Sequence, residues 1–203
     1  MQLFYSPTSP YVRKVHVMAI EKGLAEQIAL VPCNPHAPGP DLLAANPLGR
    51  IPILLRDTGE ALFDSPVICE WLDAQGDGPT LIPPAGADRW TVLCVAALAD
   101  GIMDDAVALV MERRRPVGEQ SSSTQDLRLK AIRRGLAWLD AQSEWLAGPL
   151  SLAQIAVACA LGYLDFRLPE LGWTDEQSRL AAWYQGFSQR PAMQATLPRD
   201  HAA

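Results

Sequence analysis

The sequence has no long apolar run, no surplus of positive charge and no paired-cysteine motif, and each absence removes a class of function. Lys and Arg number 17 against 23 Asp and Glu, for a net charge of −6. The one basic run, Arg113-Arg114-Arg115, is short and flanked by Glu112 and Glu119. With no basic stripe to track a phosphate backbone, no nucleic-acid partner is expected. The four cysteines, Cys33, Cys69, Cys94 and Cys159, form neither a CxxC nor a His-paired ligand spacing. Reduced thiols and no metal site are therefore expected, with Cys69, Cys94 and Cys159 serving as small core residues of apolar helices. The most apolar segment, Leu150 to Phe166, is interrupted by Gln154 and Asp165 and is too short and polar to span a bilayer. No basic region followed by an apolar run marks a signal peptide. The expectation is a soluble cytoplasmic chain with no membrane partner, and no internal repeat is visible.

What the sequence does contain fits an ordinary globular protein: 203 residues, 49% apolar and 20% charged. Such a chain has room for one large or two small domains and buries roughly 70% of its unfolded surface without staples. Its first part reads as strand, helix, strand, irregular helix, strand, strand, helix. Gln2–Tyr5 is a short strand. Ser9-Pro10 then opens a helix, with Ser9 as cap and Pro10 in the first helical position, and Gly23 stops it. Ile28–Val31 is the next strand, and strand–helix–strand favours a parallel crossover. A loop rich in Pro, Asn and Gly follows, with one irregular helical turn at Asp41–Ala45. Ile53–Leu55 and Ala61–Phe63 form a hairpin across the Asp57–Glu60 turn.

Gly76–Pro84 is a linker by composition, and the pattern then changes. Asp88–Met111 reads as a long helix with Trp90, Leu93, Ala97 and Leu98 near one side. Gln125–Leu146 is a second, with Leu129, Ile132, Leu136 and Leu139 at helical spacing. Ser151-Leu152-Ala153-Gln154 is a capping box opening a helix apolar all round, which belongs in the middle of a bundle. Thr174-Asp175-Glu176-Gln177 is another capping box, starting a helix with Leu180, Trp183, Tyr184 and Phe187. No strand pattern follows the linker. The expected fold is an α+β N-terminal domain over residues 1–75, a linker over 76–86 and an all-helical domain over 87–203.

The chemistry concentrates in Asn46–Leu72. Ser65-Pro66 reads as a helix start whose hydroxyl caps orphan N–H groups, with Asp64 adding negative charge at the positive end of the dipole. The plain reading is two strands, a hairpin and a capped helix. The sharper reading is a site for an amino-acid head group. A ligand carboxylate would meet the Ser65 hydroxyl and the helix-start N–H groups, and an ammonium on the same carbon would meet Asp64. The Ile51–Pro52 segment could present a backbone amide and carbonyl beside them.

The motifs Ser6-Pro7-Thr8-Ser9-Pro10-Tyr11-Val12-Arg13-Lys14, Asn46-Pro47-Leu48-Gly49-Arg50-Ile51-Pro52 and Asp64-Ser65-Pro66-Val67-Ile68, followed by Trp71-Leu72, resemble those of the glutathione transferase family. Ala99–Asp104 and Ser151–Ala158 extend the resemblance through the helical half, in the family's order. It implies a thioredoxin-like N-terminal domain, glutathione as bound co-substrate, no metal, a homodimer, and a small electrophilic second substrate held in a cleft between the domains. By resemblance, Pro52 would be cis, Ile51 would pair its backbone with the cysteinyl part of glutathione, and Asp64 and Ser65 would hold the γ-glutamyl end. Arg50 and His36 are candidates for the glycine carboxylate. Asp100 is a candidate for the ammonium of a ligand on a partner subunit. Tyr11, Met103, Arg113 and Tyr163 are candidates for the second-substrate cleft.

Ser9-Pro10-Tyr11-Val12 stands where thioredoxin-like redox proteins carry Cys-Pro-Tyr-Cys. With no cysteine there, thiol–disulfide exchange is disfavoured, and Ser9 resembles the hydroxyl of serine-type transferases. Thr8 is the rival donor; Ser9 stands ahead because it aligns with the redox cysteine. Gln154 departs from the aspartate usual in the cap of the family's buried helix. The competing reading is a non-catalytic glutathione-binding scaffold or regulatory module on the same fold.

Overall fold

The computed structural model describes residues 1–76 and 78–200; Asp77 of the expected linker and the last three residues of the expected second domain lie outside them. The chain divides into two units, residues 1–84 with the chain from Pro191 on, and Ala85–Arg190. The first unit is the mixed α/β domain and the second is all helical.

The first unit runs β1 (Gln2–Tyr5), α1 (Pro10–Glu21), β2 (Ala29–Pro32), α2 (Pro40–Ala45), β3 (Ile53–Leu55), β4 (Ala61–Leu62) and α3 (Ser65–Asp73). The strand order is β2-β1-β3-β4. β1 and β2 are parallel, as the intervening helix requires, and β3 pairs antiparallel with both β1 and β4. Alternation along the strands puts Phe4 and Ile53 on one face, where they pack with Leu42 of α2. α1 packs against α3.

In the second unit come α4 (Gly86–Arg113), α5 (Ser122–Ala141), α6 (Ser143–Leu146), α7 (Leu152–Arg167), α8 (Trp173–Glu176) and α9 (Ser178–Phe187). Every residue of α7 from Leu152 to Leu164 is buried. No single helix among the described residues is long and apolar enough to cross a membrane. The last helix, α10 (Pro191–Ala195), belongs to the first unit, whereas the sequence suggested that the helical domain continued to residue 203.

Several local expectations are corrected. The buried face of α4 is Val92, Val95, Ala96, Ala99, Ile102 and Met103, while Trp90 is 65% exposed. This helix is apolar on more than one side, so spacing alone selected the wrong stripe. Cys94 lies on the exposed side, unlike the buried Cys69 and Cys159. The second long helix breaks at Gln142 into α5 and α6. Thr174 does not cap a helix: Gly172, at φ 58°, starts the short α8 two residues earlier, and α9 begins after a second break at Gln177. Ser151 caps α7 by accepting the Ala153 N–H. Gln154, however, does not reach back to the cap's backbone N–H; it bonds the Ser151 hydroxyl and donates to Pro149 O at 2.7 Å.

Candidate functional site

Strand register gathers the candidate residues at one end of the sheet. Phe4 lies opposite Ile53, and Leu54 opposite Leu62. Continuing both registers by one or two residues sets Tyr5 and Ser6 beside Pro52 and Ile51, and Asp64 beside Pro52. The turn leading to Ser9, the Ile51–Pro52 segment and the start of α3 therefore share one edge of the first unit.

Ser9 is the N-cap of α1, and its Oγ accepts the Val12 N–H at 3.3 Å. An N-cap hydroxyl uses its oxygen in this bond and keeps its proton. That proton has no acceptor among the described residues, so it remains available to a ligand. Thr8 differs, because its hydroxyl is already paired with that of the buried Ser6 at 3.1 Å.

The Ile51–Pro52 bond is cis, as is Phe63–Asp64. The loop before Ile51 is shaped by Asn46, which sequence reading passed over as a functional residue. Asn46 is 1% exposed. Its Nδ2 donates to Arg50 O at 3.0 Å and its Oδ1 accepts the Leu48 N–H at 3.0 Å. Gly49, at φ 63°, closes the turn in a conformation that favours glycine. Ile51 itself takes no backbone hydrogen bond among the described residues. The signal was the Asn-Pro-x-Gly run, legible as a turn though not as a support.

At α3 the expected cap is corrected. Asp64 is the N-cap residue and Ser65 the first helical residue, and no side chain caps the start. Pro66 has no N–H, and the Ile68 N–H is spent on Asp64 O, which leaves the N–H groups of Ser65 and Val67 unpaired among the described residues. Ser65 is 2% exposed, while Asp64 is exposed. A buried hydroxyl and two backbone donors at a helix start, with a carboxylate beside them, are complementary to an α-amino acid zwitterion.

The far ends of α1 and α3 are tied by a buried pair with no local signature in the sequence. Lys22 Nζ donates to the carbonyls of Asp73 and Pro79, each at 2.9 Å, and of Gly78 at 3.3 Å. It also lies 3.5 Å from Asp73 Oδ1, and the Asp73 carboxylate accepts the Leu81 and Ile82 N–H groups. This lock holds together the two helices whose opposite ends carry Ser9 and Ser65.

The remaining candidates are divided between the two units. His36 and Arg50 are exposed, and neither side chain is fixed by a contact among the described residues. Tyr11 is half-buried in the first turn of α1. Asp100, Met103, Arg113 and Tyr163 belong to the helical unit. Met103, expected to line the second-substrate cleft, is instead fully buried in the packing of α4. Arg113 is ion-paired with Glu170, and this bond holds the Glu170 carboxyl below its ordinary value. Burial raises the Tyr163 phenol, against the opposing pull of Arg167 and Arg114. Burial also raises the Cys33 thiol, against a bond to Tyr5 O. Among the described residues no three His, Cys, Asp or Glu side chains cluster as metal ligands.

The chain matches the family models for the glutathione S-transferase N-terminal domain over residues 8–75 and C-terminal domain over residues 94–186. It is 34% identical to the uncharacterized GST-like protein YibF of Escherichia coli, over 98% of both chains. Among solved structures it is similar to a glutathione transferase family member from Pseudomonas fluorescens with bound glutathione. That match has 47% identity and a TM-score of 0.95, covering 98% of this chain and 99% of that one. It is likewise similar to a glutathione S-transferase from Methylobacillus flagellatus with glutathione bound, at 40% identity and a TM-score of 0.92, covering 98% and 99%. With both domain models matched in order and a relative of this identity aligned along nearly its whole length, the chain belongs to the glutathione S-transferase family.

Proposed function

We propose that the protein is a glutathione transferase. It binds glutathione with the γ-glutamyl end at Asp64 and Ser65 and the cysteinyl part at Ile51, and it activates the thiol through Ser9 for attack on a small electrophile. The observation that carries this reading is the uncapped, donor-bearing start of α3 at the same sheet edge as the free hydroxyl proton of Ser9.

A free thiol has a pKa near 8.5, so only a few per cent is thiolate at neutral pH. Ser9 acts as a hydrogen-bond donor to sulfur, not as a base, and the start of α1 adds positive potential. Lowering the thiol by about two units needs about 2.7 kcal/mol. One hydroxyl donor to a charged sulfur supplies about 1.5–3 kcal/mol of that. The thiolate then displaces a leaving group from, or adds to, an electrophilic carbon. Thr8, occupied by Ser6, is the secondary donor. The Arg50 guanidinium or an N–H of the His36 ring meets the glycine carboxylate.

A homodimer fits the exposed apolar side of α4, where Trp90, Cys94 and Ala97 face outward, and in that assembly Asp100 would reach a ligand on the partner. Ser9→Ala tests the reading. Turnover of a model aryl halide should fall about ten- to a hundredfold, the loss of one donor to a charged group, with glutathione affinity nearly unchanged. Intact turnover in both Ser9→Ala and Thr8→Ala would refute the mechanism. Glutathione binding without turnover of any electrophile in the wild type would favour the scaffold reading.

A further inference from the structure

The chain after the helical unit returns to the first unit and is fastened on both sides of Ser9. Upstream, the Arg199 N–H donates to Pro7 O at 3.3 Å, two residues before Ser9. Downstream, Arg13 lies one helical turn after Ser9, and its N–H donates to Ser9 O at 3.1 Å. The Arg13 side chain is 6% exposed. Its Nη2 donates to Met193 O at 3.2 Å, and its Nε makes a longer bond to Thr196 Oγ1 at 3.5 Å. Its Nη1 has no hydrogen-bond partner, so among the described residues this guanidinium serves the C-terminal segment and nothing else. Thr196 relays the fastening by donating to Ala192 O at 2.8 Å, which closes α10.

Apolar packing does not hold the outer part of this segment. Leu197 is 57% exposed, and a cavity of about 300 Å³ remains between residues 194–199 and the Ser9, Arg13, His16 and Leu30 side. The segment is thus pinned at a few polar points that bracket the turn carrying the thiol donor. A buried guanidinium with an open nitrogen is costly to keep for tail packing alone. A donor hydroxyl must also be held to a few tenths of an ångström to favour a developing thiolate.

We propose that residues 191–199 are a strap that positions the Ser9 turn, with Arg13 and Thr196 as positioning residues that act through it. The kinetic half of this inference rests on the glutathione transferase reading; the structural half, that the strap holds the turn, does not. Thr196→Val removes the hydroxyl without changing the side chain's shape, and Thr196→Ser keeps it. A chain ending at Thr196 removes the Pro7 fastening while leaving the buried Ala192 and Met193 in place.

Two readouts apply to each variant. The first is hydrogen exchange of the Ser9 amide, which is bonded to Ser6 O. The second is the pKa of the bound glutathione thiol, read from thiolate absorbance. Thr196→Val and the shortened chain should exchange the Ser9 amide faster. They should also raise the bound thiol pKa by about one unit and lower kcat about tenfold, with glutathione KM unchanged, and Thr196→Ser should restore all of these. Unchanged exchange at Ser9 overturns the strap, whatever ligand the first unit takes. Faster exchange with an unshifted thiol pKa in the variants overturns the link to chemistry. A wild-type thiol pKa at its free value, with exchange still responding to the variants, overturns the Ser9 mechanism and leaves the strap as the element that holds the turn.

Discussion

Two helix starts, one in each unit, begin with similar chemistry and use it in opposite ways. At α7 the Ser151 hydroxyl accepts the Ala153 N–H, and Gln154 bonds Ser151 and Pro149 O. That start is saturated from within and buried. At α3, Asp64 and Ser65 cap nothing, and backbone donors remain at the sheet edge. The helical unit closes other starts in the same way: Ser121 accepts the Thr124 N–H at α5, and Asp140 accepts the Leu180 N–H at α9. Protein-satisfied caps add stability, whereas a start whose backbone donors are left unpaired is open to an anionic ligand; Ser9 stands between the two, accepting the Val12 N–H while its proton stays free.

The most damaging single change falls on the lock that holds α1 and α3 together. Lys22→Met leaves the Asp73 carboxylate, 8% exposed at its side chain, without its counter-ion. The loss should be about 3–5 kcal/mol in a urea melt, because the remaining charge is buried and unpaired. A loss below about 1 kcal/mol, the range of surface pairs, would mean the pair is solvated.

The contrast itself is sharpened by two matched substitutions. Ser65→Ala should weaken glutathione binding about ten- to a hundredfold, as expected for a bond to a charged group, and leave the melting temperature in place. Ser151→Ala should do the reverse, costing about 0.5–2 kcal/mol of stability as a lost cap with glutathione affinity unaltered. Equal effects of the two on stability would erase the distinction.

The smallest effect is an acid-side change at α9. Burial alone would raise the Asp140 carboxyl, but the Leu180 N–H and the Arg179 guanidinium outweigh it and lower the value below the ordinary aspartate range. A carboxyl lowered in the folded state contributes stability that is present above its unfolded value, near 3.9, and is lost as pH falls through the folded value. Asp140→Asn should therefore flatten the acid limb of a stability–pH curve, while leaving the pH dependence of glutathione binding unchanged. The Arg179 partner is 65% exposed, so the change is small.

How much of this was legible in the sequence depends on how far apart the interacting residues lie. The sheet was readable because short apolar runs are separated by a turn at Asp57–Gly59, and the start of α1 because Ser9-Pro10 is a local signal. The start of α3 was located, but Ser65 was placed at the cap one residue too late, since Pro66 is tolerated at either of the first two helical positions. The buried side of α4 was misread because two of its stripes are apolar and only tertiary packing chooses between them. Lys22 and Asp73, 51 residues apart, and Arg13 and Met193, 180 residues apart, left no local trace. Of the candidate site, the edge residues Ser9, Ile51, Pro52, Asp64 and Ser65 were readable as motifs. Met103 was not, because helical spacing does not separate a cleft wall from a core.

The most direct test of the account is a calorimetric titration of glutathione into the wild-type protein and into Asp64→Asn. Asp64 is exposed and makes no cap bond, so removing its charge should leave the fold intact. If the start of α3 grips the γ-glutamyl zwitterion, the wild type binds one glutathione per chain, and Asp64→Asn binds it at least about tenfold more weakly with the same melting temperature. Undiminished binding in Asp64→Asn, or no binding by the wild type, would contradict it.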